Sequence, residues 1–151
     1  MHSRPAYSYR NDPAVPAFTD DQPIIVFDGE CIFCSGWVNF VLRHDKQGRY
    51  RFLTAQSPLG EALYRHYGLD SRNYETNMLI ENGLAFLKSE GSLRMAAGLG
   101  FPFSLVSVLR LIPRPLRDPL YELVARNRYR IGGRRNACFV PAPEHRGRFI
   151  A

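Results

Sequence analysis

One short segment limits what this chain can fold into more than any other: Ile24-Ile25-Val26-Phe27-Asp28-Gly29-Glu30-Cys31-Ile32-Phe33-Cys34. Four apolar residues in a row suit a central strand covered on both faces. Asp28-Gly29-Glu30 turn the chain, and a C-x-x-C pair opens the next element. From Cys34 the apolar residues recur at Trp37, Val38, Val41 and Leu42, with Asn39, Arg43 and Lys46 facing away, until Gly48. That is a helical stripe with a glycine stop. Two thiols at this spacing close a disulfide or share one metal ion. Their place at a helix N-terminus matters equally, because unpaired backbone N–H groups and the positive dipole end favour thiolate over thiol.

The pattern downstream completes a recognisable order. Arg49–Thr54 reads as a second strand. Ser57-Pro58 starts a helix, an N-cap followed by proline at the first helical position, continued by Leu59, Ala62, Leu63, His66 and Tyr67 and stopped at Gly68. Asn77–Glu81 and Leu84–Lys88 are short strands joined by Asn82-Gly83, which supplies the two positive φ angles of a type I′ hairpin. Ser89 is placed to cap a helix carrying Leu93, Met95 and Ala96. The resulting β-α-β-α-β-β-α order predicts an α/β, thioredoxin-like fold. Its parallel crossover puts the C-x-x-C loop at the carboxyl end of the sheet, where such proteins build sites. After about Gly100 a helical extension is expected over residues 100–132. Phe103–Leu111 reads as helical, Pro113 and Pro115 punctuate it, and a further helix starts at Asp118-Pro119 with Leu120, Leu123, Val124 and Asn127 on one face. Gly132-Gly133 ends it. Residues 1–22 are expected to be a flexible leader, 23–142 the domain, and 143–151 a tail.

Composition narrows the classes. A chain of 151 residues suits one domain at ~100–200 residues per domain. Three cysteines are too few for a disulfide-stapled scaffold and point to a reducing compartment, with a cytoplasmic location expected. Met1 to Gln22 lacks an apolar signal region, and no window approaches the ~20 apolar residues of a membrane span. The most apolar stretch, Leu99 to Pro113, is interrupted by Pro102 and Arg110 and reads as a buried or half-buried helix rather than a membrane-surface one. The formal charge of +6 is modest, and no nucleic-acid motif accompanies it, so no nucleic-acid partner is expected.

At D-G-E-C-I-F-C the chain resembles the DCC family of predicted thiol–disulfide oxidoreductases, named for a D-x-x-C-x-x-C motif matched by Asp28, Cys31 and Cys34. The likeness includes the strand entry at Arg49–Phe52, the I-P-R-P-L-R-D segment at Ile112–Asp118 and Tyr121. It continues through the A-R-N-R-Y-R run at Ala125–Arg130 and G-R-R-N-A-C at Gly133–Cys138, so that it covers roughly residues 23 to 142. It implies a thioredoxin-like fold and a protein-disulfide reductase type of activity. Ordinary thioredoxins place a cis-proline before the third strand; the equivalent Tyr74-Glu75-Thr76-Asn77 has none. A cis X–Pro bond there would fix a substrate-binding backbone edge and guard against metal binding.

The candidate catalytic residues are Cys31, Cys34 and Asp28. Cys31 is expected to attack, as the thiol nearest the helix N–H groups and solvent. Cys34, one turn inward, is expected to resolve the mixed disulfide. Asp28 either accepts a proton from Cys34 during resolution or ties the turn through backbone hydrogen bonds. Gly29 reads as turn support and Trp37 as core. The partners are a protein or small-molecule disulfide and a thiol electron donor, with no bound organic cofactor. The rival reading is a zinc or copper protein using Cys31, Cys34 and Cys138, with His145 or His44 as a fourth ligand. Cys138 is otherwise a packing residue, the reading adopted. Arg126, Arg128, Arg130, Arg134 and Arg135 form either a solvated basic face or a docking surface for an acidic partner or for the carboxylates of a glutathione-like thiol.

Overall fold

The first strand, β1 (Ile24–Phe27), is buried along its whole length, as a four-residue apolar run requires when both faces of a sheet are covered. It pairs in parallel with β2 (Arg51–Thr54). On its other side β3 (Met78–Glu81) runs antiparallel to it, and β4 (Leu84–Leu87) runs antiparallel to β3. The sheet order is β2-β1-β3-β4. Four helices are described: α1 (Ile32–His44), α2 (Pro58–His66), α3 (Lys88–Ala97) and α4 (Arg114–Arg126). The order β-α-β-α-β-β-α followed by α4 makes the fold thioredoxin-like with a helical extension. The computed structural model describes residues 5–69, 77–127, 130 and 143–150.

Strand alternation sorts the core into two layers. Ile24, Val26, Leu53, Met78 and Ile80 face α2, through Leu59, Ala62, Leu63, Tyr64 and Tyr67. Ile25, Phe27, Phe52 and Leu79 face α1 and α3, through Val38, Val41, Leu42 and Met95. Local signals read from sequence recur at the joints. The Ser57 hydroxyl oxygen accepts the Gly60 N–H at 3.1 Å. Gly60 lets α2 approach the end of β2 closely, since a Cβ there would lie 2.3 Å from the Thr54 carbonyl oxygen. Asn82 and Gly83 have φ of 53° and 78°, the positive pair that joins β3 to β4.

Several expectations need correction. The segment expected to be a flexible leader packs on the domain from residue 5. Tyr9 and Val15 enter the core, Tyr7 N–H donates to Gly83 C=O at 2.8 Å, and His66 of α2 bonds both Ser8 and Asp12 at 2.7 Å. Its aromatic residues gain burial on the α2 face that polar neighbours concealed in the sequence. The tail also docks. Ile150 N–H donates to Phe52 C=O at 2.8 Å, the Phe149 ring stacks on Phe52, and Arg148 pairs with buried Asp45. This covers part of the β2 edge, whose unpaired backbone groups otherwise invite association. Ser89 does not cap α3, which begins at Lys88 without a side-chain cap; its hydroxyl donates instead to Asp118. The helix expected to start at Asp118-Pro119 starts at Arg114 and carries Pro119 inside it. Pro115 in its first turn suits a helix start, and Pro119 costs one internal backbone bond. Phe103–Leu111 is a 3-10 helix with no buried residue, so Leu105, Val108, Leu109 and Leu111 are exposed where a buried or half-buried helix is expected.

Candidate active site

The loop from β1 to α1 builds the site. The Asp28 side chain folds back on its own turn, Oδ1 accepting the Glu30 N–H at 2.9 Å. Gln56 holds the same turn from the β2–α2 loop. Its Nε2 donates to Asp28 Oδ1 at 2.5 Å, and its Oε1 accepts the Gly29 N–H at 2.9 Å. Parallel strands share their carboxyl ends, so the loop after β2 lies beside the loop after β1; that topology, rather than any motif, is the signal that could have singled out Gln56. The carboxylate of Asp28 is buried and its turn-tying bonds are the ones foreseen for a structural aspartate.

Cys31 is the N-cap of α1, in extended conformation, and its Sγ accepts the Cys34 N–H at 3.2 Å. Its carbonyl accepts the Ser35 N–H at 2.9 Å. A sulfur in the place of an N-cap oxygen receives an N–H that the helix cannot satisfy internally, and the dipole end adds positive potential. Both effects act in favour of a thiolate, and burial of the sulfur acts against it. The expected accessibility is reversed, however. Cys31 has 0% relative exposure, whereas Cys34 is half-buried. The reason lies in helix register. The centre of the buried face of α1 runs through Ser35, Val38 and Leu42, spacings of three and four that lead back to the cap residue. Cys34 lies toward the margin, with Trp37.

Trp37 is half-buried, stacks on Phe40 at 5.5 Å and donates its ring N–H to Met95 Sδ at 3.4 Å, joining α1 to α3. Asn77, at the entry to β3, holds α4 at this same end of the sheet. Its N–H donates to Tyr121 Oη at 3.2 Å, and its Oδ1 accepts the Tyr121 hydroxyl at 3.0 Å. The proline-free stretch at Tyr74, Glu75 and Thr76 lies outside the described residues, as do Cys138, Arg128, Arg134 and Arg135. Arg126 and Arg130 are exposed. His44 is not brought to the cysteines: its Nδ1 lies 2.8 Å from Phe40 O one turn back in α1, and its ring packs on Phe103. His145 belongs to the docked tail. Among the described residues, no group of three or more His, Cys, Asp or Glu side chains is placed to hold a metal ion, and no helix is long and apolar enough to cross a membrane.

Comparison with known proteins places this geometry in context. The family model described as DCC1-like thiol-disulfide oxidoreductase matches residues 25–134. The uncharacterized protein YuxK of Bacillus subtilis (strain 168) is 32% identical over 127 residues, 84% of this chain and 93% of its own length. The chloroplastic DCC family protein At1g52590 of Arabidopsis thaliana is 38% identical over 120 residues, 79% of this chain and 70% of its own. No solved structure was found to match.

Proposed function

This chain belongs to the DCC1-like thiol-disulfide oxidoreductase family, and from that premise we propose that Cys31 and Cys34 exchange disulfides as a dithiol pair, reducing a protein or small-molecule disulfide. The observation that carries this reading is the N–H of Cys34 on the sulfur of Cys31 at the helix cap. Cys31 is the thiolate that cap stabilises. It attacks one sulfur of the substrate; the substrate S–S bond breaks, a mixed disulfide forms, and the first substrate thiol leaves with a proton. Cys34 then loses its proton, attacks Cys31, and releases the second substrate thiol, leaving a Cys31–Cys34 disulfide. Asp28 is the proton acceptor for Cys34, in addition to its part in the turn. Two equivalents of an external thiol, themselves joined into a disulfide, return the pair to the dithiol. A reducing compartment such as the cytoplasm suits this cycle.

The burial of Cys31 favours a second order of events, in which half-exposed Cys34 attacks first and Cys31 resolves. Single serine variants separate the two. With a disulfide substrate, the variant retaining only the attacking cysteine accumulates the mixed disulfide. Accumulation in Cys34→Ser supports attack by Cys31; accumulation in Cys31→Ser reverses the roles. Oxidised wild type should lose two alkylatable thiols, and Cys31→Ser should no longer reduce insulin. Full insulin reduction by Cys31→Ser, or stoichiometric zinc or copper in protein purified under reducing conditions, would refute dithiol exchange.

A further inference from the structure

α4 is amphipathic, and it is turned inside out. Arg117, Asp118, Tyr121 and Glu122 recur at helical spacing, and this polar row faces the domain, bonding Glu90, Ser89, Asn77 and Lys88. The apolar row is Leu116, Leu120, Leu123 and Val124. It faces solvent: Leu116 is 65% exposed, Leu120 67% and Leu123 58%. An amphipathic surface helix ordinarily lays its apolar stripe on the core.

Phe103–Leu111 repeats the arrangement. In a 3-10 helix, side chains three residues apart fall in line. Leu105, Val108 and Leu111 form such a row, and all three are exposed. Ile112, also exposed, leads from this row toward α4. The two elements adjoin, because Arg110 of the first and Arg117 of the second meet on Glu90. Single exposed leucines are ordinary, but two adjoining apolar rows are a patch, and patches of this kind mark interaction sites.

The chemistry of the face identifies its partner. Among the described residues from Phe101 to Arg130, every exposed one is Phe, Pro, Leu, Val, Ile or Arg. Arg110, Arg114, Arg126 and Arg130 supply the charge. Asp118 and Glu122, the acidic residues of this stretch, are held inward by Ser89 and Lys88. The partner is therefore both apolar and anionic. A second copy does not fit, since a twofold contact lays the patch on itself and sets arginine against arginine. A protein partner fits less well than lipid, because protein hot spots favour Trp, Tyr and Arg over the Leu and Val that dominate this face. A bilayer with anionic headgroups matches both features. Its acyl boundary takes the leucines, its phosphates take the guanidinium groups, and the arginine stems lie between.

We propose that α4 and Phe103–Leu111 form a docking face for the surface of an anionic phospholipid bilayer, which they enter to the headgroup boundary without spanning it. Docking of this kind does not depend on the dithiol exchange.

Sedimentation of the full chain with lipid vesicles tests this. Vesicles of phosphatidylcholine mixed with phosphatidylserine should bind the protein about tenfold or more above vesicles of phosphatidylcholine alone, and added salt should narrow the difference. Leu120→Ser should weaken binding to the mixed vesicles about tenfold, the loss of one buried leucine side chain. Arg126→Gln should weaken it about fivefold. Urea titration checks that both variants fold as the wild type does. If Leu120→Ser is destabilised, Leu123→Ser and the wild-type comparison of the two vesicles decide the matter. Absence of binding to the mixed vesicles overturns the proposal and leaves the face to an acidic protein. Equal binding to both vesicles, or binding unchanged in Leu120→Ser, overturns it too. A dimer in sedimentation velocity that Leu120→Ser abolishes assigns the face to a second copy and likewise overturns it.

Discussion

The sheet and the extension that follows α3 are held to each other by opposite chemistries. In the sheet, β1 and its neighbours are sealed: Ile25, Phe52, Met78 and Leu79 are fully buried between two apolar layers. In the extension, neither Phe103–Leu111 nor Arg114–Arg126 has a single buried residue, and Leu111 is 82% exposed. Beside the Phe103 ring against Phe40 and His44, what fastens the extension is polar. Asp118 takes the Ser89 hydroxyl, Glu122 pairs with Lys88, Tyr121 bonds Asn77, and Arg110 and Arg117 share Glu90. Burial is non-directional and tolerates small shifts, whereas hydrogen bonds and ion pairs fix position. A segment with little apolar burial is thus still placed in register with the redox end of the sheet, because its polar contacts gather at the entry to β3 and the first turn of α3.

The sharpest way to break this contrast is to empty the sheet. Phe52→Ala should lower unfolding free energy by about 3–5 kcal/mol in urea titration; a loss below about 1 kcal/mol would mean that the two-sided core is not the main support. Glu90→Gln comes next. It leaves arginines around a site without their carboxylate, and the expected loss is about 3 kcal/mol. A loss below about 1 kcal/mol would mean that the ion pairs of Glu90 do not fasten the extension.

Tyr50 joins the layers, and its hydroxyl donates to the carbonyl of Met95 at 3.0 Å. Burial pushes its pKa up to about 12 from 10.0. The unfolded chain therefore loses this proton first as pH rises past 10, so the stabilisation is complete below pH 10 and disappears as pH climbs toward 12. Tyr50→Phe should flatten that alkaline decline in chemical denaturation, at a cost of about 1 kcal/mol at neutral pH. Tyr9, raised mainly by burial and then by Asp20, retains its own share of the slope. An unaltered alkaline profile would remove Tyr50 as its source. In the extension, Tyr121→Phe should cost about 1 kcal/mol and speed amide exchange at Asn77, the fixing contact near the site. The smallest effect belongs to Leu111→Ser, within about 0.5 kcal/mol. A loss above 2 kcal/mol would show that this side chain is covered in solution.

Much of the thioredoxin-like part was legible because its signals are local. A four-residue apolar run, Ser57-Pro58 and Asn82-Gly83 each act within a few residues, and each fell where the structure has it. The candidate site was legible in type and not in geometry. Asp28, Cys31 and Cys34 are contiguous in one turn, but which sulfur faces solvent depends on how α1 rolls against β1 and Met95. Gln56, Asn77 and Glu90 carried no motif, and Tyr121 and Arg117 belonged to the family likeness without a stated role, since each acquires its role from a partner distant in sequence.

The sequence alone determined the strand-turn-helix that carries the cysteines, the βαβ and ββα units around it, and the family to which the chain is similar. Backbone preferences and apolar periodicity suffice for those, because they are settled between neighbours along the chain. Tertiary structure decided the rest: the burial of Cys31 beneath half-exposed Cys34, the docking of residues 5–22 and 143–150 onto the sheet, and the convergence of Arg110 and Arg117 on Glu90. These depend on surfaces meeting across α3, α4 and the sheet edge. Residue type records that an arginine is charged, and only packing determines whether its donors find an acceptor or are buried without one.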